Sequence, residues 1–102
     1  MSNEVQAVIE LKITPQREAG FGTIAEKVSR FEQVDACFLM SGGYDLFVKV
    51  YGKTFQDIAM MVAKKLSTIP GVTGTKTHFM LKKYKEDGIA FTEEKVDLRG
   101  VL

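Results

Sequence analysis

The residues best suited to chemistry stand together in one short turn, Ser41-Gly42-Gly43-Tyr44-Asp45, near the middle of the chain. Two adjacent glycines permit backbone angles closed to other residues, and they let another molecule approach the main chain. An aromatic ring and a carboxylate follow directly. A turn with accessible main-chain amides, an aromatic ring and a charge is typical of a binding site for a small polar ligand. An ordinary tight hairpin, however, has the same composition.

Two further side chains with reactive groups, His78 and Cys37, do not indicate catalysis. His78 has no partner at metal-ligand spacing, and we predict a surface or interface histidine. Cys37, the single cysteine, lies in an apolar strand pattern without an evident activating neighbour, so we predict a small buried hydrophobe. The sequence therefore predicts no catalytic residue, no metal site and no cofactor.

Length and composition are those of one ordinary globular domain. The chain has 102 residues, of which 45% are hydrophobic and 26% charged, unlike a disordered segment. A net charge of +1 provides no broad basic field for a phosphate backbone, so we expect no direct binding of nucleic acid. The N-terminus lacks a basic region leading into an apolar core, and no apolar run reaches membrane-spanning length. These features predict no membrane association and a cytoplasmic location.

Hydrophobic periodicity predicts the strands that must position the glycine turn. Residues 5–13 alternate between apolar and polar types, and Thr14-Pro15 ends the pattern because proline cannot donate to a β-ladder. Three further strands are predicted over residues 34–40, 44–51 and 72–84. The turn therefore connects the second predicted strand to the third.

Two helices are predicted between these strands. One begins near Arg17, and the other opens at Thr54, where Asp57 three residues later resembles a capping box. Each helix carries an apolar stripe at helical spacing. The predicted stripes are Phe21, Ile24, Ala25, Val28 and Phe31 in the first helix, and Phe55, Ile58, Ala59, Met61, Val62, Leu66 and Ile69 in the second.

The order β-α-β-β-α-β predicts a ferredoxin-like α+β sandwich, a four-stranded antiparallel sheet with two helices on one face. Apolar residues nevertheless occur at both odd- and even-numbered positions of several strands. The face of the sheet away from the helices is therefore also expected to be apolar. A second copy is the simplest cover, giving a dimeric α/β-barrel-type assembly, and the alternative is a monomer with a bare face. The predicted open-face residues are Val8, Phe47, Tyr51 and Met80, with either Cys37 and Leu39 or Phe38 and Met40.

Two sequence markers resemble the effector-binding module, or RAM domain, of the Lrp/AsnC (feast/famine) regulators. Residues 34–50 read V-x-x-C-F-x-x-S-G-G-Y-D-L-F-V-K-V, similar to the central signature of that module. Residues 66–72 form a helix end with a proline-glycine-valine turn, followed by Thr75 and Thr77 in a strand. The resemblance covers about residues 5–84.

The resemblance implies dimers that pair through their sheets, a higher ring such as an octamer, and an amino-acid effector bound between neighbouring dimers. Carried over by position, the effector-binding residues are Gly42, Gly43, Tyr44, Asp45, Thr75 and Thr77. The amides of Gly43 and Tyr44 would then meet a carboxylate, and Asp45 an ammonium. Two alternatives stay open. Asp45 braces the turn by accepting hydrogen bonds from nearby amides, and the two threonines are present only because threonine favours β-strands.

Two departures from the family pattern limit what carries over. Gly43 stands where the family often has an acidic or amide residue, which puts the usual effector preference in doubt. The regulators also carry an N-terminal helix-turn-helix, whereas this sequence begins at the first strand. The expectation is a stand-alone effector-binding and oligomerisation module that modulates transcription or amino-acid metabolism without contacting DNA, acting with helix-turn-helix relatives.

Two other classes of protein remain as alternatives to this module. Ferredoxin-like dimers include small monooxygenases and isomerases, but no base, nucleophile or metal site is evident here, so we predict that the chain is not an enzyme. The second alternative is a purely structural partner of helix-turn-helix relatives, without a ligand of its own.

The chain divides by pattern into an effector-binding domain over residues 1–84 and a C-terminal extension over residues 85–102. The extension is charged with scattered apolar residues, so a disordered end and docking on the domain or a neighbouring subunit remain open. Those apolar residues are Ile89, Ala90, Phe91, Val96, Leu98, Val101 and Leu102.

Overall fold

Strands and helices alternate in the predicted order in a computed structural model of the chain, which describes residues 4–15 and 20–91. The α+β, ferredoxin-like order is thereby confirmed. A π-helical turn, Val62–Leu66, continues the second helix. The elements are β1 (Val5–Ile13), α1 (Phe21–Ser29), β2 (Val34–Leu39), β3 (Leu46–Gly52), α2 (Phe55–Met61), β4 (Val72–Phe79), β5 (Lys85–Glu86) and β6 (Ile89–Ala90).

The first four strands form one antiparallel sheet in the order β2-β3-β1-β4. β1 is central, and its residue Ile9 lies opposite Val48 of β3 and Thr77 of β4. Because opposed residues of an antiparallel pair share a face, this register assigns every side chain to one side of the sheet. The register shifts at two places, between Lys12 and Ile13 and between Val34 and Ala36.

The core lies between the sheet and the two helices. The predicted alternation of β1 is confirmed, since its odd-numbered residues from Ala7 to Ile13 are buried and its even-numbered residues are not. Ala7, Ile9 and Leu11 have no exposed surface. Burial of one such aliphatic side chain contributes about 1.5–3 kcal/mol. The other buried residues are Ile24, Val28, Leu46, Val48, Val50, Ile58, Met61, Val62, Leu66 and Ile69.

The apolar stripe of α1 is confirmed, and its first described helical residue is Phe21. The start predicted near Arg17 falls in residues 16–19, outside the described residues. The capping box of α2 is confirmed as well. Asp57 N–H donates to Thr54 Oγ1 at 3.0 Å, and Thr54 N–H donates to Asp57 Oδ2 at 3.1 Å.

The stripe predicted for the second helix is wrong at both Phe55 and Ala59, which are exposed. Met61 and, in the π-helical turn that follows, Val62 and Leu66 are buried as predicted. Phe55, at the first turn, lies beside the sheet edge, where its ring centroid is 4.7 Å from that of Phe79.

Four strand ends differ from the predicted bounds, among them the end of β3, which lies at Gly52 rather than at residue 51. β2 ends at Leu39 and β3 begins at Leu46, although Met40 N–H still donates to the Asp45 carbonyl at 2.9 Å. β4 ends at Phe79 rather than at residue 84. Its pairing with β1 ends with Phe79 opposite Ala7, and one further main-chain bond follows, from the Met80 N–H to the Gln6 carbonyl at 2.9 Å.

Residues 85–91 form a small hairpin rather than an irregular end. β5 pairs with β6 around Asp87 and Gly88, whose φ angles are 53° and 80°. Glu86 ties the hairpin to the sheet, because it accepts from Lys49 Nζ at 3.3 Å as well as from Lys83 Nζ at 2.8 Å. The remaining apolar positions of the extension, from Val96 onward, lie outside the described residues.

Candidate functional site

The face of the sheet away from the helices, called the open face below, is defined by the register. Glu10 of β1 lies opposite Phe47 of β3 and Lys76 of β4, and Val8 lies opposite Lys49 and His78. On β2, Phe38 lies opposite Phe47, with their ring centroids 5.8 Å apart. The question left by the sequence is thus resolved: Phe38 and not Cys37 belongs to the open face.

Cys37 lies opposite buried Val48 and packs, partly buried, against the core. The prediction of an apolar role for this side chain is therefore confirmed. Burial raises the pKa of the Cys37 thiol, and a hydrogen bond with Ser29 opposes that rise in part. A thiol that stays protonated is a poor nucleophile.

The open face is more polar than the sequence predicted. Val8, Phe47, Tyr51 and Met80 are only partly buried there, but charged residues separate them. Glu10 Oε2 and His78 Nε2 lie 2.9 Å apart. The exposed apolar surface concentrates at the end of β2, where Phe38, Leu39 and Met40 are 55%, 68% and 38% exposed.

The glycine turn stands at the end of the open face and is held by Asp45. Ile13 N–H donates to Asp45 Oδ2 at 2.7 Å, and Asp45 N–H donates to the Leu11 carbonyl at 2.9 Å. The Asp45 carboxylate therefore braces β1, as the alternative reading of the sequence held. Gly42 has a φ of 120°, in a region that favours glycine, and this accounts for its presence.

A pocket of about 220 Å³ lies beside the turn, where the ends of β1 and β4 meet it. Gly43 and Tyr44 contribute from the turn and Thr75 from β4, so the fold brings together three of the six predicted residues. Gly42, Asp45 and Thr77 do not line it. The remaining lining residues are Glu10, Lys12, Gly74 and Lys76.

Thr77 is separated from the pocket by strand geometry. It lies opposite buried Ile9 on the helix side of the sheet and is partly buried. Thr75, opposite Leu11, is on the same face of the sheet as Thr77 but lies nearer the glycine turn. Successive side chains of a strand alternate in face, and the charged neighbour Lys76 therefore belongs to the open face.

Sequence reasoning missed Glu10, Lys12, Gly74 and Lys76. Lys12 lies opposite Gly74, and Glu10 lies opposite Lys76, so all four sit on two adjacent strands at one end of the open face. The sequence showed that the even-numbered residues of β1 include polar ones. It did not show the register that places β1 beside β4.

Two larger depressions lie elsewhere on the surface. One, of about 570 Å³, lies between the start of β1, Phe55 and the segment after β4; the other, of about 470 Å³, lies between Tyr51 and α2. Neither is lined by a residue of the glycine turn. Within residues 4–15 and 20–91, no three His, Cys, Asp or Glu side chains cluster closely enough to hold a metal ion.

No helix in the described part of the chain is long and apolar enough to cross a membrane.

Comparison with known proteins gives one consistent family. Residues 6–90 match the model of the Lrp/AsnC ligand binding domain. The chain is 47% identical over 98 residues to the uncharacterised HTH-type transcriptional regulator YugG of Bacillus subtilis, covering 96% of this chain and 59% of that protein. The chain thus spans about three-fifths of the length of this curated relative.

Two solved structures share the fold. The transcriptional regulator NMB0573 in complex with L-Met, from Neisseria meningitidis, superposes with a TM-score of 0.75 at 22% identity, covering 89% of this chain and 58% of that one. FFRP-DM1 superposes with a TM-score of 0.67 at 26% identity, covering 76% of this chain and 99% of that one. With 85 consecutive positions, 6 to 90, matching its model, this chain belongs to the Lrp/AsnC ligand binding domain family.

Proposed function

We propose that the chain binds a single small amino-acid effector beside the glycine turn and self-associates as the ligand-binding module of an Lrp/AsnC-type transcription regulator. The observation that carries the proposal is the pocket in which Gly43, Tyr44 and Thr75 meet. Its volume of about 220 Å³ suits one small metabolite rather than a drug-sized ligand.

The chemistry of the pocket supports an amino acid. Main-chain N–H groups around Gly43 and Tyr44 offer donors to a carboxylate, and the Tyr44 ring offers an apolar wall. The ammonium partner is Glu10 rather than Asp45, because Glu10 lines the pocket and Asp45 does not. Gly43 needs no left-handed backbone angle and has open space around it, so it leaves room for the ligand.

Self-association is proposed through the open face. Phe38 and Met40 expose apolar surface at one end of that face, and a second copy would remove it from water. A homodimer formed in this way, assembled further into a ring of dimers, fits the family. The named relatives act in transcription, so the proposal places the chain in the cytoplasm.

The proposed role is binding and not catalysis, and the described residues are not the part that contacts DNA. Both described helices pack their apolar sides on the sheet, with Ile24, Val28 and Ile58 buried. Contact with DNA therefore falls to a helix-turn-helix segment of the kind named in the relatives.

A thermal-shift panel of the twenty amino acids tests the effector proposal. L-methionine is one arm because NMB0573 binds it. A ligand held only by the folded state stabilises it by about 2.7 kcal/mol at a hundred times its Kd, which gives a clear rise in Tm. Tyr44→Ala removes the pocket wall and should abolish the rise, whereas Tyr84→Ala, an exposed tyrosine outside the pocket, should not. If no amino acid raises the Tm of the unmodified chain, the proposed effector role is wrong.

A further inference from the structure

Three charged side chains line the pocket beside the glycine turn: Lys12, Lys76 and Glu10. Glu10 and Lys76 are directly opposed across β1 and β4, and Lys12 is two residues from Glu10 on the same face. Opposed side chains on neighbouring antiparallel strands start about 4.5–5.5 Å apart. The three charges are therefore fixed near one another by the sheet and not by a flexible loop.

The two lysines outnumber the single carboxylate beside them. Both are exposed, and neither forms an ion pair with any residue in 4–15 or 20–91. Glu10 differs, because its Oε2 lies 2.9 Å from His78 Nε2. The pocket thus presents two free cationic groups and one anionic group whose carboxylate is already oriented.

Gly74 makes the space between these charges. It lies opposite Lys12 and has no left-handed backbone angle, so its conformation does not demand glycine. A Cβ built there would meet only Lys12 Cβ at 3.6 Å and Lys12 Cγ at 3.7 Å, which are ordinary contacts. The missing side chain keeps the floor of the pocket open.

We propose that the effector is an acidic amino acid, aspartate or glutamate. This inference rests on the proposed function and adds the ligand class. Two cations and one anion are complementary to a ligand with two carboxylates and one ammonium. The α-carboxylate meets the turn amides and one lysine, the side-chain carboxylate meets the other lysine, and the ammonium meets Glu10.

Isothermal titration calorimetry with matched ligand pairs tests the class. Aspartate and asparagine, like glutamate and glutamine, have nearly the same shape and differ by one charge. The preferred acid should bind at least tenfold more tightly than its amide, and its affinity should fall as salt is raised because the charges are exposed. Succinate, which lacks the ammonium, should bind more weakly than aspartate.

Variants assign the charges to residues. Lys12→Met and Lys76→Met should each weaken binding of the acid at least tenfold. The lysine that meets the side-chain carboxylate should leave the weak binding of the amide unchanged, whereas the lysine that meets the α-carboxylate should weaken binding of acid and amide alike. Lys27→Met is the matched control, because Lys27 is an exposed lysine on α1, on the other side of the sheet. Gly74→Ala should weaken all ligands without lowering the Tm of the free protein, since the added methyl group fills the pocket without a clash.

The outcomes separate this inference from the function on which it rests. An amide, methionine or another neutral amino acid that binds as tightly as the acids would overturn the ligand class while leaving an amino-acid effector intact. Acid binding that is indifferent to both lysine variants would also overturn it. Succinate binding equal to that of aspartate would overturn the role of Glu10. Failure of every amino acid to bind would overturn both proposals.

Discussion

Two hairpins of this molecule are each anchored by one carboxylate, and the anchors differ in kind. In the glycine turn, Asp45 accepts a 2.7 Å hydrogen bond from a main-chain N–H of β1, in a partly buried position. In the C-terminal hairpin, Glu86 accepts from the side chains of Lys49 and Lys83, also in partly buried positions. The first anchor is a short carboxylate side chain bonded to a main-chain N–H. The second anchor depends on long lysine side chains, whose contacts with the carboxylate can be replaced by contacts with water and salt ions.

The two anchors show which hairpin is bonded into the main sheet. Asp45 links residues 32 positions apart in sequence, and its own main chain also bonds to Leu11 and Met40. The C-terminal hairpin has two residues in each strand and closes on itself through the Phe91 N–H to Tyr84 carbonyl bond at 3.0 Å. We therefore expect the turn to unfold with the domain and the C-terminal hairpin to open independently of it.

The largest expected effect is that of Asp45→Ala. It leaves the Ile13 N–H without its acceptor in a partly buried position, and the expected loss in the free energy of unfolding is about 1–3 kcal/mol. Urea denaturation measures this loss. Asp45→Asn retains a carbonyl oxygen and should recover much of it, while an unchanged midpoint for Asp45→Ala would show that the brace is not a stabilising contact.

A smaller effect is expected from Gly42→Ala, set against Gly88→Ala. Both glycines have a left-handed φ, 120° and 80°, and neither has any atom within 4 Å of a built Cβ, so only backbone strain changes. The strain at Gly42 should cost about 1–2 kcal/mol of global stability, because the sheet holds the turn in place. Gly88→Ala should strain only the local hairpin and leave the urea midpoint almost unchanged. Equal shifts of the two midpoints would contradict the distinction between the hairpins.

The smallest effect on unfolding is expected from Glu86→Gln, which should leave the urea midpoint unchanged. It should instead speed hydrogen exchange at the Phe91 N–H, because the hairpin loses its link to Lys49. Lys49→Met should have the same effect, and added salt should mimic both changes. Slow exchange that resists salt and both substitutions would indicate that the hairpin is held by other contacts.

The link also has a predicted pH dependence. Hydrogen bonds from Lys83 and then Lys49 lower the pKa of Glu86 from its ordinary 4.5. A lowered pKa means that folding favours the charged form, so the contribution is present at neutral pH and is lost as the pH falls below 4.5. The protection factors of the hairpin amides, which correct for the intrinsic pH dependence of exchange, should fall on acidification across that range, and Glu86→Gln should abolish the fall.

The elements of this fold were predictable because their signals are local. The alternation of β1 identifies its buried face, and the Thr54–Asp57 capping box identifies the start of α2. Strand ends were less predictable, because the alternating pattern of β4 continues to residue 84 whereas its pairing with β1 ends at Phe79. The π-helical turn was not predicted from the sequence, and Ala59, predicted to be buried, is exposed.

The site was predictable only in part, because it is assembled across strands. Gly43 and Tyr44 are marked by their turn, but Lys12 and Lys76 become neighbours of that turn only through the register of β1 with β4. For Asp45, too, the role depends on a residue that is distant in the sequence. Its type suggests an ammonium partner, and only the tertiary structure shows that it accepts from Ile13.

The bond from Ile13 to Asp45 couples the two walls of the pocket mechanically. One wall carries Tyr44 and the other carries Lys12, which directly precedes Ile13 in β1. A ligand that draws Tyr44 inward must therefore either break this 2.7 Å tether or drag the end of β1 with it. Movement of the pocket wall at Tyr44 is therefore transmitted to Ile13 at the end of β1.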